Sequence, residues 1–209
     1  MKYKKYRATI SDAAGICGAV GVVAVKSDLV LDGGNLVRCG SKAILTSKIF
    51  RENPRYTETE LLHTLEELLH IDNIIVIPPE PGDWLGHADG MVRFLNEETV
   101  LINDYSREKK KEHYIHLRMS LRNAGLELIE FPYNPYGNQS EIDAKGVYIN
   151  FLRMKDLVLV PVFGLDEDEK AVSKVRDLFK GSTVDTVRSD EIAKDGGVLN
   201  CISWNIKTR

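Results

Sequence analysis

Five residues carry side chains whose chemistry can be weighed before any fold is assigned: Cys201, His87, Asp89, Asp32 and Asn150. A thiol is a nucleophile once ionised, an imidazole gives and takes protons near neutral pH, and carboxylates bind cations or orient an imidazole. With an amide beside them, these are the parts of a nucleophilic site and its orienting surroundings. Singly, each has a plainer reading. A cysteine in an apolar stretch such as VLNCISW, read as a strand, is commonly a small core residue. An aspartate before glycine is commonly a turn residue. What joins the five is where they fall: Asp32 in LDGGN, His87 and Asp89 in GHADG, Asn150 in VYINF and Cys201 in GGVLNCIS.

Those four motifs sit at the openings of similar stretches. Gly34, Gly90, Gly146 and Gly197 follow one another at intervals of 56, 56 and 51 residues. After each of the first three, two apolar runs flank a short polar turn, the pattern of a β-hairpin. A helical pattern then follows: Thr57 to His70, with Thr57 and Glu60 spaced as a capping box, then Glu108 to Ala124, then Asp166 to Phe179. Each helix leads to a further strand, at Ile74 to Ile77, Leu126 to Phe131 and Thr183 to Val187. The predicted unit is ββαβ, complete three times, with partial pieces at both ends. Equivalent units arranged about one axis bring their openings to the same end, so the five side chains are expected to converge. The segment Pro132 to Lys145 has turn residues and no apolar period, and it reads either as a rim over a site or as a surface excursion.

Composition bounds the rest. At 209 residues and 43% hydrophobic content, residues 1–209 can form one domain around a sizeable core. A net charge of -3, with both signs interspersed, offers no footprint for nucleic acid or an anionic membrane, so the expected partner is a small molecule. Three cysteines without CxxC spacing suggest neither a disulfide framework nor a zinc site and point to a reducing, cytoplasmic setting. The basic start and the apolar run Ala13 to Val25 superficially resemble a signal peptide. Asp12 at the entrance and the lack of a small-x-small cleavage site favour a core strand or a glycine-broken buried segment instead. The pairs Glu60 with His63 and Glu67 with His70 share one helix, where metal ligation would need a facing helix, and are read as a solvated face.

At LDGGN, GHADGMVRF, VYINF and GGVLNCIS the chain resembles the agmatine deiminase and bacterial-type peptidylarginine deiminase family, over about Leu29 to Trp204. The resemblance implies an α/β fold, the pentein propeller of ββαβ repeats, here with fewer than five complete units. It implies hydrolysis of a small guanidino compound, agmatine foremost, to a ureido product and ammonia, without metal or organic cofactor. By motif, Cys201 would attack the guanidinium carbon to give a thiouronium intermediate, and His87 would serve as acid and then base. Asp89 would bind the guanidinium, Asp32 would orient His87 where the family usually has glutamate, and Asn150 matches an active-site asparagine. The family's upstream WxRDxGP motif has no counterpart in residues 1–28. The chain is therefore expected to be an N-terminally short member, either a shortened enzyme or a non-catalytic pentein that binds a guanidinium or a protein partner. Exposed strand edges would favour association with another chain, a homo-oligomer included.

Overall fold

A computed structural model describes residues 12–108 and 111–206. Three sheets of three strands follow one another along the chain, each built the same way. In the first, β1 (Val37–Cys39) and β2 (Lys42–Thr46) form an antiparallel hairpin that pairs Val37 with Ile44, and β3 (Asn73–Ile77) returns parallel to β2. In the second, β4 (Val92–Phe94) and β5 (Thr99–Asn103) form the hairpin and β6 (Glu127–Phe131) returns parallel to β5. In the third, β7 (Leu152–Met154), β8 (Leu157–Val162) and β9 (Thr183–Arg188) repeat the pattern. A parallel return needs a crossover, which the helices provide: α3 (Glu58–Leu69) in the first unit, α4 (Glu112–Asn123) in the second, α5 (Glu167–Leu178) in the third. The three ββαβ units are those that the glycine spacing predicts.

Local sequence explains the element ends. Thr57 Oγ1 accepts from Glu60 N while Glu60 accepts from Thr57 N, so the capping box closes, and His70 ends α3 in the left-handed conformation. The second helix begins later than its pattern predicts. Tyr105–Arg107 forms a 3-10 turn capped by Asp104, which takes up the chain before Glu108. Between β2 and α3 lies a further short helix, α2 (Lys48–Glu52), and β9 leads to α6 (Asp190–Ala193).

Apolar side chains of the first two units share one core, including Ile44, Ile77, Met91, Val100, Ile102 and Leu121. Those of the second and third share another, around Leu101, Phe131, Phe151, Val160 and Val175. Every residue of β5 is buried, because the central unit is packed from both sides. A smaller cluster joins Leu45 and Ile49 to Leu61 and Leu65 of α3.

Two sequence expectations are corrected. The run Ala13 to Val25 is neither strand nor core. Its first part forms a short helix, α1 (Ala13–Ala19), none of whose residues is buried, and Val23 and Val25 are exposed. The helix closes its own backbone bonds, Ile16 N donating to Asp12 O, so it needs no ladder partner. The basic segment before it lies outside the described residues. Secondly, VLNCISW is no strand. Asn200 N donates to Asn150 O, Cys201 N to Asn150 Oδ1 and Ser203 N to Asn200 O, so its backbone donors go to a neighbouring turn and to itself. Among the described residues no helix is long and apolar enough to cross a membrane.

Candidate active site

The openings of the units are brought together by hydrogen bonds between them. In the first, Gly33–Asn35 makes a 3-10 turn behind Asp32, and buried Asn35 accepts from Thr46 N at 2.9 Å, fixing the turn to the end of β2. Thr46 Oγ1 in turn donates to Gly86 O at 2.6 Å, next to His87. The loop that carries His87 is folded around Asp83, whose carboxylate accepts from the backbone of Leu85, Gly86 and His87 at 2.8, 2.9 and 3.2 Å. Asp89 N then donates back to Gly34 O at 3.0 Å. In the third opening, Asn150 sits buried in the turn Tyr148–Asn150, its Nδ2 donating to Asp89 O at 3.3 Å and its Oδ1 accepting from Cys201 N at 3.2 Å.

The chemistry gathers around these anchors. Cys201 Sγ lies 3.5 Å from Asp89 Oδ2, and His87 Nε2 lies 3.1 Å from Asp32 Oδ2. His87, Asp89, Asn150 and Cys201 line one cavity of about 410 Å³, while Asp32 stands behind the His87 ring. All five residues singled out in the sequence therefore meet. Cys201 is exposed as a whole residue and no part of the apolar core, but its sulfur is enclosed between Asp89 and the backbone of Gly197. Gly197 permits this approach: a Cβ there would come 2.6 Å from Cys201 Cβ, inside any real contact. The segment Pro132 to Lys145 supplies one wall of the cavity, through Tyr133, Pro135 and the stretch Asn138 to Ala144. It is tied down by an isolated bridge from Tyr133 to Val147 and by Asn138 Nδ2, which donates to the carbonyls of Asp143 and Lys145. Of its two readings, the rim is the one observed.

Four further residues act here without having announced themselves in the sequence. Lys48, in the first turn of α2, is buried and paired with Asp32 and with Glu52. Arg93 in β4 stacks 4.7 Å from the centre of the Phe151 ring and donates to Asn200 Oδ1 at 2.7 Å. Asn200 Nδ2 donates to Asp89 Oδ2 at 2.8 Å, which places a cation two steps behind the carboxylate beside the thiol. Glu80 accepts from Tyr133 OH at 2.7 Å, linking the loop of His87 to the rim. Arg93 falls within GHADGMVRF and Asn200 within GGVLNCIS, whereas Lys48 and Glu80 lie outside every motif.

Protonation follows from these surroundings. The His87 hydrogen bond and the Lys48 ammonium hold the Asp32 carboxyl well below the usual carboxylate range, against the opposing effect of burial. Burial, and then the Asp89 charge, push the Cys201 thiol up to about 12. Burial lowers Arg93 to about 10, which leaves it charged at neutral pH. Glu80 is pushed up to about 7, chiefly by burial. Because that value exceeds the ordinary 4.5, the folded chain binds the proton more tightly than the unfolded one, and stability declines as pH rises through the interval between them. Glu80→Gln is expected to remove this slope. Urea midpoints of variant and wild type should agree near pH 5 and separate by pH 8, with the variant more stable. Parallel curves over that range would show that Glu80 is not the buried acid.

The cavity is lined by Glu80, Asp83, Asp89, Glu141 and Asp143, and among the described residues no lysine or arginine lines it. Its electrostatics favour a cation, and a thiol and an imidazole stand at its wall. Three ββαβ units whose openings converge on a thiol, an imidazole and carboxylates define a pentein-type α/β propeller, with fewer than five complete units. The family model of the Porphyromonas-type peptidyl-arginine deiminases matches residues 1–206, and the chain belongs to that family. Among relatives, it is similar to the agmatine deiminase of Pseudomonas aeruginosa, 24% identical over 209 residues, covering 84% of this chain and 56% of the relative. Among solved structures it superposes on the agmatine deiminase of C. jejuni with a TM-score of 0.77 at 18% identity, covering 91% of this chain and 60% of that one. The agmatine deiminase of Enterococcus faecalis gives 0.76 at 20% identity, covering 91% and 61%. The chain thus spans about three fifths of the length of the relatives it matches.

Proposed function

We propose that this chain hydrolyses the guanidinium group of a small guanidino compound, releasing ammonia and leaving a ureido product, with Cys201 as nucleophile. The observation that carries the reading is the meeting of thiol, imidazole and carboxylates in one acidic cavity. Asp89 binds guanidinium N–H groups through charge-assisted hydrogen bonds and sets the planar cation against the sulfur. The thiolate attacks the central carbon, forming a C–S bond. A C–N bond then breaks, and the nitrogen leaves as ammonia with a proton from His87, giving a thiouronium on Cys201. Water, deprotonated by His87, attacks the same carbon, and the C–S bond breaks to return the thiolate. Asp32 orients the imidazole throughout, and Asn150 holds the backbone of Cys201.

Agmatine suits the cavity better than free arginine. Its far end is a second cation near Asp83, Glu141 and Asp143, where an α-carboxylate would find no lysine or arginine among the described lining residues. The free thiols Cys17, Cys39 and Cys201 support a reducing, cytoplasmic setting. Colorimetric detection of ureido product from agmatine, arginine and a peptide with internal arginine tests the reading, and turnover is expected with agmatine. If guanidinium binds by calorimetry but no ureido product forms from any of the three, the chain is a binding pentein and not an enzyme.

Binding itself has a sharp test. Asp89→Asn keeps the shape and loses the charge of the contact, worth about 1.5–3 kcal/mol. The dissociation constant for a guanidinium ligand is expected to rise roughly 10- to 150-fold, as measured by calorimetry. A change below about twofold would remove Asp89 from the binding site.

A further inference from the structure

Cys201 stands on a segment that joins none of the three sheets, so no strand ladder sets the place of its sulfur. Its neighbour Asn200 ties that segment down on several sides. The backbone N–H of Asn200 donates to Asn150 O at 3.0 Å in the third opening, and its carbonyl accepts from Ser203 N and Ser203 Oγ, each at 3.1 Å. Its side chain reaches the second unit instead: Oδ1 accepts from Arg93 Nη1 at 2.7 Å, and Nδ2 donates to Asp89 Oδ2 at 2.8 Å. That Asp89 oxygen is the one 3.5 Å from Cys201 Sγ. One amide thus spans from β4 to the carboxylate that the sulfur faces.

The residue type follows from its two partners. A guanidinium only donates and a carboxylate only accepts, so a side chain that joins them must do both, as an amide does. The partners also settle which way round the amide stands, with oxygen to Arg93 and nitrogen to Asp89. Arg93 is itself held, its guanidinium 4.7 Å from the centre of the Phe151 ring, beside Asn150 in the chain. Asp89 has backbone anchors that do not involve the amide, its N–H donating to Gly34 O at 3.0 Å and its carbonyl accepting from Asn150 Nδ2 at 3.3 Å. Loss of the amide's bonds therefore releases the segment of the nucleophile more than it releases the carboxylate.

We propose that Asn200 is a positioning residue for the nucleophile: anchored by Arg93, it clamps the Cys201 segment against Asp89, so that the sulfur meets the central carbon of a guanidinium seated there. The catalytic consequence rests on the hydrolase reading above, while the clamp stands on its own. A misplacement of about 1 Å is enough to cost roughly 100-fold in the chemical step.

The test uses the full chain. Asn200→Leu fills the space and makes neither bond, and Arg93→Met removes the anchor. Each is expected to lower kcat for agmatine roughly 10- to 100-fold with KM changed less than about fivefold. The double variant should lose no more than about threefold beyond the more impaired single one, because both substitutions break the same chain of bonds. Asn200→Asp keeps the acceptor for Arg93 but turns a like charge on Asp89, and it should lower kcat by a similar factor, which carries the test if Arg93→Met does not fold. Backbone amide exchange at Cys201 should be faster in Asn200→Leu by roughly fivefold or more. Wild-type kcat in Asn200→Leu or Asn200→Asp would overturn the proposal, and so would losses that multiply in the double variant. If the wild type turns over no guanidino compound, the hydrolase reading falls. The exchange rate at Cys201 in Asn200→Leu then decides the clamp: faster exchange supports it, and an unchanged rate overturns it.

Discussion

Cys201→Ser is expected to abolish formation of ureido product, lowering turnover by at least roughly four orders of magnitude, the scale seen when a covalent nucleophile is removed. The substitution exchanges sulfur for oxygen at an exposed residue, so the unfolding midpoint should stay within about 0.5 kcal/mol of wild type. Guanidinium affinity should also persist within a few-fold, because Asp89, Asn150 and the acidic wall are untouched. The combination matters more than the loss. A variant that folds and binds but does not turn over separates the chemical step from the pocket that serves it. Neither other cysteine can take over: Cys39 lies in β1 against the core of the first two units, and Cys17 lies in α1, and neither lines the cavity. Residual ureido product at a tenth of the wild-type rate would place the nucleophile elsewhere.

The site is legible in the sequence through the repeats. The glycine intervals mark the ββαβ units, and at three openings the structure requires the glycine: Gly34 by its approach to His87, Gly197 by its approach to Cys201, and Gly146 by its positive φ. Helix α3 could be bounded to the residue because its capping box is a local device, formed by Thr57 and Glu60 alone. What failed were inferences that depend on what a segment packs against. The run from Ala13 to Val25 is apolar enough for a core strand, but apolarity does not say that a partner surface is present, and the segment is exposed. VLNCISW is apolar enough for a strand, but the side chain and carbonyl of Asn150 take its backbone donors from a position about 50 residues away in sequence. Lys48, Arg93 and Asn200 escaped for the same reason. Nothing local distinguishes Lys48 from a solvated helix lysine, and its role appears only once α2 is set beside Asp32 and the His87 loop.

The charge balance at the thiol leads to the second large effect. At pH 7 a thiol pushed up to about 12 leaves only roughly one molecule in 10⁵ ionised, far too few for a working nucleophile. Burial is the larger cause and Asp89 the next, and Arg93, the nearby permanent cation, is spent through Asn200 on Asp89 itself. A guanidinium seated on Asp89 would cancel that carboxylate's effect and add a positive charge beside the sulfur, lowering the thiol's pKa when substrate is present. Alkylation of Cys201 by neutral iodoacetamide is therefore expected to be slow in the free protein between pH 6 and 8. It should accelerate, with saturation, when a guanidinium small enough to leave the sulfur accessible is added. The sign for Asp89→Asn is opposite in its two parts. Without ligand the variant should alkylate faster than wild type, because the charge that raised the thiol's pKa is gone. With ligand it should respond weakly, because the cation is no longer held. Rates indifferent both to guanidinium and to the substitution would mean that the cavity does not govern the charge on Cys201, and the mechanism proposed for it would then fail at its first step.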